Sequence, residues 1–348
     1  MRLASQQLTS SAQLIEALGG GWHFQPFAIV NALTVVSCRQ TSESRRNEET
    51  RMKFISGKQF AFALGLAAVT SCCAAQESNY LGVWNYDQPN GKTSENIAQL
   101  QCPAPKGSPE GMHGFGMMIP QIGNLTITKA ADGHLKGVTD KGCSWTFKVG
   151  SSSAELDPAS QTCFNKVIGS GYTITQWSIR VDGNQESETL MAKSHHQMGD
   201  CDFVMQNGKR TKADDIDSSR LFVGDWRYDP LDPRARINVA QKICGEESAK
   251  PTVVPMSGTV TIPKVSDGVL QAATSDGCSW RLKVQGNTAI LDSPQRCEKD
   301  GKASRLNSWT IASDGQHQLS TMYSEQQTGD ESCTTSLGTG SLTRASSK

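Results

Sequence analysis

A long internal repeat constrains this chain more than any other feature. Leu81-Gly82-Val83-Trp84-Asn85-Tyr86-Asp87 returns as Val223-Gly224-Asp225-Trp226-Arg227-Tyr228-Asp229, 142 positions on. In the same register Asn96, Ala98, Gln99 and Cys102 match Asn238, Ala240, Gln241 and Cys244. After a deletion in the second copy the offset becomes 135. Pro120, Gly123, Thr126, Ile127, Lys129, Asp132, Gly133 and Leu135 then match Pro255, Gly258, Thr261, Ile262, Lys264, Asp267, Gly268 and Leu270, and Gly142-Cys143-Ser144-Trp145 matches Gly277-Cys278-Ser279-Trp280. Trp177-Ser178-Ile179 pairs with Trp309-Thr310-Ile311, and Cys201 with Cys333, at an offset of 132. Only two copies occur, and each of about 130 residues is long enough for its own core, so the pattern predicts two tandem domains and not a solenoid. The expected boundaries are 79–208 and 220–345, joined by a polar linker over 209–219 (KRTKADDIDSS).

The region before the repeat reads as an export signal over 52–75. Met52-Lys53-Phe54-Ile55-Ser56-Gly57-Lys58 is a basic start, Phe60 to Val69 is an apolar run too short to span a bilayer as a helix, and small residues follow. Residues 1–51 show no clear period. The expectation is that Met52 is the true start, with 1–51 either a gene-model extension or an unusual long leader. Two processing routes fit. Val69-Thr70-Ser71-Cys72 resembles a lipobox that would place a lipid anchor on Cys72, and Cys73-Ala74-Ala75 before Gln76 resembles a signal peptidase I site. The position of the lipobox directly after the apolar run favours the first. Both routes export the protein, to the outer membrane or cell surface as a lipoprotein or to the periplasm or medium.

Of 11 cysteines, Cys38, Cys72 and Cys73 lie in the leader, which leaves four in each copy. In an exported chain these read as two disulfides per domain. Their spacing does not suit zinc, so no metal site is expected. Cys143-Ser144-Trp145-Thr146-Phe147-Lys148-Val149 alternates with the strand period, a turn follows at Gly150 to Ser153, and Cys163 lies almost symmetrically beyond it; Cys278, the turn at Gly286-Asn287 and Cys297 repeat the arrangement. The expected pairs are therefore Cys143–Cys163 and Cys278–Cys297, as residues facing across a hairpin, with Cys102–Cys201 and Cys244–Cys333 tying an early strand to the last. Closing a loop of ~20 residues is worth about 3 kcal/mol in the chain-entropy account.

Helical periodicity is nearly absent from the repeat. Short alternating segments recur between turns such as Asp132-Gly133, Asp182-Gly183, Asp267-Gly268 and Asp314-Gly315. The fold class is all-β: two antiparallel β-barrels or β-sandwiches of roughly eight or nine strands each, with two disulfides apiece. A first strand tied to a last one suits closure.

Gly82-Val83-Trp84 and Gly224-Asp225-Trp226, at the heads of domains of this class, resemble the G-x-W start of lipocalin-like (calycin) barrels. The resemblance implies a Trp packed across the closed end of each barrel and a basic residue late in the domain packed on that Trp; the sequence does not identify which one. It further implies a small apolar ligand.

Six of the seven tryptophans are matched pairs, Trp84/Trp226, Trp145/Trp280 and Trp177/Trp309. They would line a ligand pocket or fill the core, and the alternation favours the core. Asp87 and Asp229 read as strand-end caps before an acid pair. No catalytic residue or cofactor is expected: His195-His196 is replaced by Gln327-Thr328, His113 lies in an insertion, and no Ser-His-Asp or carboxylate set survives in both copies. That insertion, Gly107 to Met118, carries Met112, Phe115, Met117 and Met118, flexible apolar side chains suited to a ligand or partner and otherwise a surface loop. Zero net charge gives no case for nucleic acid, and membrane contact is expected only through the lipid anchor. Three readings remain open. One is an exported binding protein holding a small apolar ligand. The second is a protein-interaction module resembling bacterial inhibitors of secreted metalloproteases, which act through an N-terminal arm. The third is a structural envelope component.

Overall fold

The computed structural model describes residues 77–346, except 105–106, 109–112, 166–169, 197–198, 214–217, 246–250, 300 and 330. The expected signal, Cys72 and Met112 lie outside the described residues.

The first copy forms β1 (Gly82–Tyr86), β2 (Ile97–Cys102), β3 (Phe115–Pro120), β4 (Asn124–Lys129), β5 (Leu135–Thr139), β6 (Ser144–Val149), β7 (Ala154–Leu156), β8 (Gln161–Asn165), β9 (Ser170–Asp182), β10 (Gln185–His196) and β11 (Gly199–Lys212). The second forms β12 (Gly224–Tyr228), β13 (Val239–Cys244), β14 (Thr252–Pro255), β15 (Thr259–Ile262), β16 (Val265–Ser266), β17 (Val269–Thr274), β18 (Ser279–Gln285), β19 (Thr288–Leu291), β20 (Gln295–Lys299), β21 (Lys302–Ser313), β22 (His317–Thr328) and β23 (Glu331–Arg344). Neighbours run β1-β4-β5-β6-β7-β9-β10-β11, and β11 returns to β1 through Trp84↔Lys212, Asn85↔Thr211 and Tyr86↔Arg210. This is a closed eight-stranded antiparallel barrel. The order β12-β15-β17-β18-β19-β21-β22-β23 closes in the same way through Trp226↔Arg344. The architecture is thus two barrels and not two sandwiches. The extra strands lie outside the rings: β2 and β3 continue from β11, β8 pairs with β9, and β13, β14 and β20 repeat this in copy two, where β16 also pairs with β17. Those flaps bring the described strands above the eight or nine expected per copy.

Alternation along each strand sends apolar residues inward. Trp84, Leu125, Ile127, Leu135, Phe147 and Ile179 are buried together in barrel one, and Trp226, Val260, Ile262, Leu270, Leu282 and Ile311 in barrel two. The G-x-W glycines have a backbone reason. Gly82 and Gly224 sit at φ 134° and 140°, and a Cβ at Gly82 would lie 2.7 Å from the Lys212 side chain. Asn96 and Asn238 are matched for a similar reason. Both hold positive φ, both are fully buried, and the Nδ2 of each donates to two carbonyls, of Asp87 and Lys209 in copy one and of Asp229 and Ser341 in copy two.

Three expectations need correction. The linker is shorter than 209–219, because β11 continues through Lys212. The segment reads as polar because Lys209, Arg210, Thr211 and Lys212 alternate on a strand, with Arg210 pointing inward at 2% exposure. The cysteine pairs are those expected, Cys102–Cys201, Cys143–Cys163, Cys244–Cys333 and Cys278–Cys297. Their settings differ, however. Cys163 lies on β8, which pairs with β9 and not with β6, so its disulfide pins a flap to the barrel rather than crossing one hairpin. Cys102 and Cys244 lie on the flaps β2 and β13, whereas the rings are closed by β1 and β12. Finally, Phe115, Met117 and Met118 are not in a loop. They belong to β3, which pairs with β2 and has β14 as its counterpart.

Candidate functional site: the interior of barrel one

The lower half of barrel one is filled by Trp84 and the apolar residues around it. Above them lies a layer of buried charge. β10 sends Glu186, Glu188, Leu190 and Ala192 inward in alternation, and β11 places Arg210 opposite Glu186. Arg210 Nη2 donates to Glu188 Oε1 at 3.1 Å, and its Nη1 is 3.7 Å from Glu186 Oε1. Glu188 is the hub. It also accepts from Tyr86 Oη at 2.6 Å and from Trp177 Nε1 at 2.7 Å. The guanidinium stacks 3.9 Å over the Tyr86 ring. Glu186 accepts no hydrogen bond from the described residues, and burial pushes its carboxyl up to about 8, opposed by the attraction of Arg210. Burial thus favours the protonated form of Glu186, while the Arg210 guanidinium is paired with Glu188.

Above this layer the barrel is open. A cavity of about 370 Å³ is walled by Leu100, Met117, Trp145, Tyr172, Ile174, Trp177, Leu190, Ala192 and Phe203, with Tyr86 and Arg210 at its floor. Its size lies at the low end of small-molecule sites, which run from ~300 to ~1,000 Å³. Trp145 and Trp177 meet edge to face at 6.1 Å, and the buried Nε1 of Trp145 has no partner. Trp145 and Trp177 are thus both core and pocket wall, which the sequence had posed as alternatives.

The two barrels lie within one compact unit, and barrel two's outer surface completes the mouth of this cavity. Arg236, Val239, Gln241, Thr321, Ser336, Gly338 and Thr339 line it there. The contact is polar. Asp140 Oδ2 accepts from Lys141 at 2.5 Å and from Thr310 at 2.6 Å, while Lys141 donates to Thr321 at 3.0 Å. Asn85 and Asn124 donate to the backbone and side-chain oxygens of Gln285, and Asn287 donates to the Tyr86 carbonyl.

Barrel two lacks the charged layer. The strand registers align Gln318, Ser320 and Leu342 with Glu186, Glu188 and Arg210. Its own cavity is about 200 Å³, lined among others by Tyr228, Trp280, Leu306, Trp309 and Met322.

At the filled end of each barrel a cation covers the Trp of the G-x-W segment. Lys212 Nζ stands 5.4 Å over Trp84, and the Arg344 guanidinium 4.6 Å over Trp226. The indole nitrogens donate to Tyr80 O and Phe222 O.

Of the residues singled out from sequence, Met117, Trp145 and Trp177 line this cavity. Met118 and Phe115 are exposed, with Phe115 beside Arg236. Asp87 accepts from Thr211, and Asp229 from Ser341 and Thr343, as strand-end caps. Glu186, Glu188 and Arg210 were missed. Their signal was present, since Glu186 and Glu188 share the inward phase of Leu190 and Ala192.

No family model matches the sequence, and no curated protein matches it. Among solved structures, one from Bacteroides fragilis described as a "putative outer membrane protein" aligns over 78% of this chain and 99% of its own, at 12% identity and a TM-score of 0.24.

Proposed function

We propose that the protein is an exported, non-enzymatic binding protein in which barrel one holds a small, largely apolar molecule and barrel two closes its mouth. The observation that carries this is the cavity of about 370 Å³, with aromatic and aliphatic walls above a polar floor. A lipocalin-like reading gains support from Lys212 and Arg344, which occupy the place over Trp84 and Trp226 that such barrels reserve for a basic residue. Four disulfides suit a chain that folds in an oxidising compartment. Anchoring through Cys72 would hold the pair at an envelope surface.

Ala192 faces the cavity, so Ala192→Trp should fill it. In titrations of the delipidated protein with an environment-sensitive apolar dye, the native protein should bind and the variant should not. Equal binding by both, or by neither, would sink the reading.

A further inference from the structure

We propose that the ligand carries one anionic group, and that Arg236 from barrel two receives it at the mouth of barrel one's cavity. This rests on the binding reading above and names the class of ligand: an amphiphile with an apolar body and a carboxylate, phosphate or sulfate head.

Among the described residues, the charged ones that line the cavity are Asp140, Lys141, Arg210 and Arg236. Lys141 is paired with Asp140. Arg210 is paired with Glu188. Among the described residues no carboxylate lies within ion-pair distance of Arg236, and its guanidinium stands 5.7 Å over the exposed Phe115 ring. Partial burial pulls its proton affinity below the ordinary arginine value, yet an arginine remains charged at neutral pH. A partly desolvated cation without a counter-ion is a standing cost that an anionic head group would relieve. At the floor, by contrast, Arg210 is already paired with Glu188, so an anionic end has no free cation to meet there.

The placement is firm. Arg236 occupies a left-handed position at φ 54°, within the turn closed by the Asp232↔Ile237 bridge and two residues before Asn238, whose amide is tied to Asp229 and Ser341. Copy one has the same backbone conformation at the matched Ser94, φ 56°, where the side chain faces solvent. The turn is therefore scaffold, and the arginine is particular to the copy that meets the neighbouring cavity. The site is composite: barrel one supplies the apolar chamber and barrel two the head-group contact.

The delipidated full chain should be titrated with dodecanoate and with dodecanol, followed by tryptophan fluorescence, in native and Arg236→Gln forms. Near-UV circular dichroism will establish that the variant keeps its fold. Dodecanoate should bind about tenfold more tightly than dodecanol, as one hydrogen-bonded charge contact gives. Arg236→Gln should abolish that preference and leave dodecanol unchanged. If the native protein binds both probes equally, or if the variant keeps the preference, the head-group assignment is overturned while the cavity reading survives. If neither probe binds, the cavity reading fails and this inference with it.

Discussion

Replacing Arg210 by leucine separates the energetic role of the buried layer from its apparent strength. The side chains of Arg210, Glu186 and Glu188 are at most 2% exposed. Removing the cation alone leaves the Glu188 carboxylate in the barrel interior, still accepting from Tyr86 and Trp177 but with no positive charge beside it. Breaking a buried pair in this way costs about 3–5 kcal/mol. Replacing all its members together is another matter, because the desolvation penalty disappears with the charges. The molecule contains that experiment already. Gln318, Ser320 and Leu342 occupy the same inward positions in barrel two, which closes with the same register. Glu186→Gln with Glu188→Gln, which keeps an acceptor for Tyr86 and Trp177, and Arg210→Leu should therefore lie within about 1–2 kcal/mol of the native protein. Arg210→Leu by itself should lose several. Urea unfolding followed by tryptophan fluorescence reads both, since Trp177 donates directly to Glu188. A triple variant less stable than Arg210→Leu, or an Arg210→Leu loss below about 1 kcal/mol, would refute the claim that an uncompensated charge is the dominant cost.

Two further outcomes are expected. Glu186 titrates near 8 when folded and at the ordinary glutamate value when unfolded, so the native state holds the extra proton; stability is fully present below the unfolded value and falls as pH rises towards 8, by on the order of 1 kcal/mol per pH unit. Thermal unfolding at several pH values should show this decline, and Glu186→Gln should flatten it. Arg344→Met removes donors to the carbonyls of Gly315, Val223 and Arg220 as well as the Trp226 contact, and should cost about 2–4 kcal/mol, against ~1 kcal/mol or less for Lys212→Met, by urea unfolding of each variant.

The fold was readable because duplication makes a scaffold visible. Trp84, Asn96, Asp87 and the four cysteines of copy one return in copy two because each meets a demand of the backbone or core that both barrels share. Cysteine pairing was readable from spacing, although the strand carrying Cys163 left the hairpin that the spacing suggested. The charged layer was missed for a physical reason. Sequence patterning treats Lys, Arg and Glu as markers of a solvated face, and Lys209-Arg210-Thr211-Lys212 was read as linker on that ground. In a closed barrel the strand period alone decides what points inward, and Arg210 is held there by partners on another strand. The cavity itself had no local signature, because its walls come from β2, β3, β6, β9, β10 and β11 and its mouth from the other copy.

The same comparison shows where the two barrels have divided their work. At the inward positions of the charged layer, copy one carries Glu186, Glu188 and Arg210, and copy two carries Gln318, Ser320 and Leu342. At the shared left-handed turn the difference runs the other way, Ser94 in copy one and Arg236 in copy two. Both differences converge on a single chamber, that of barrel one. A buried polar floor costs stability unless it is paired, and an arginine without a counter-ion at the mouth adds a further cost. Neither is needed to close a barrel, as each copy shows by lacking one of them. Their meeting in one cavity is the arrangement that the proposed ligand site requires.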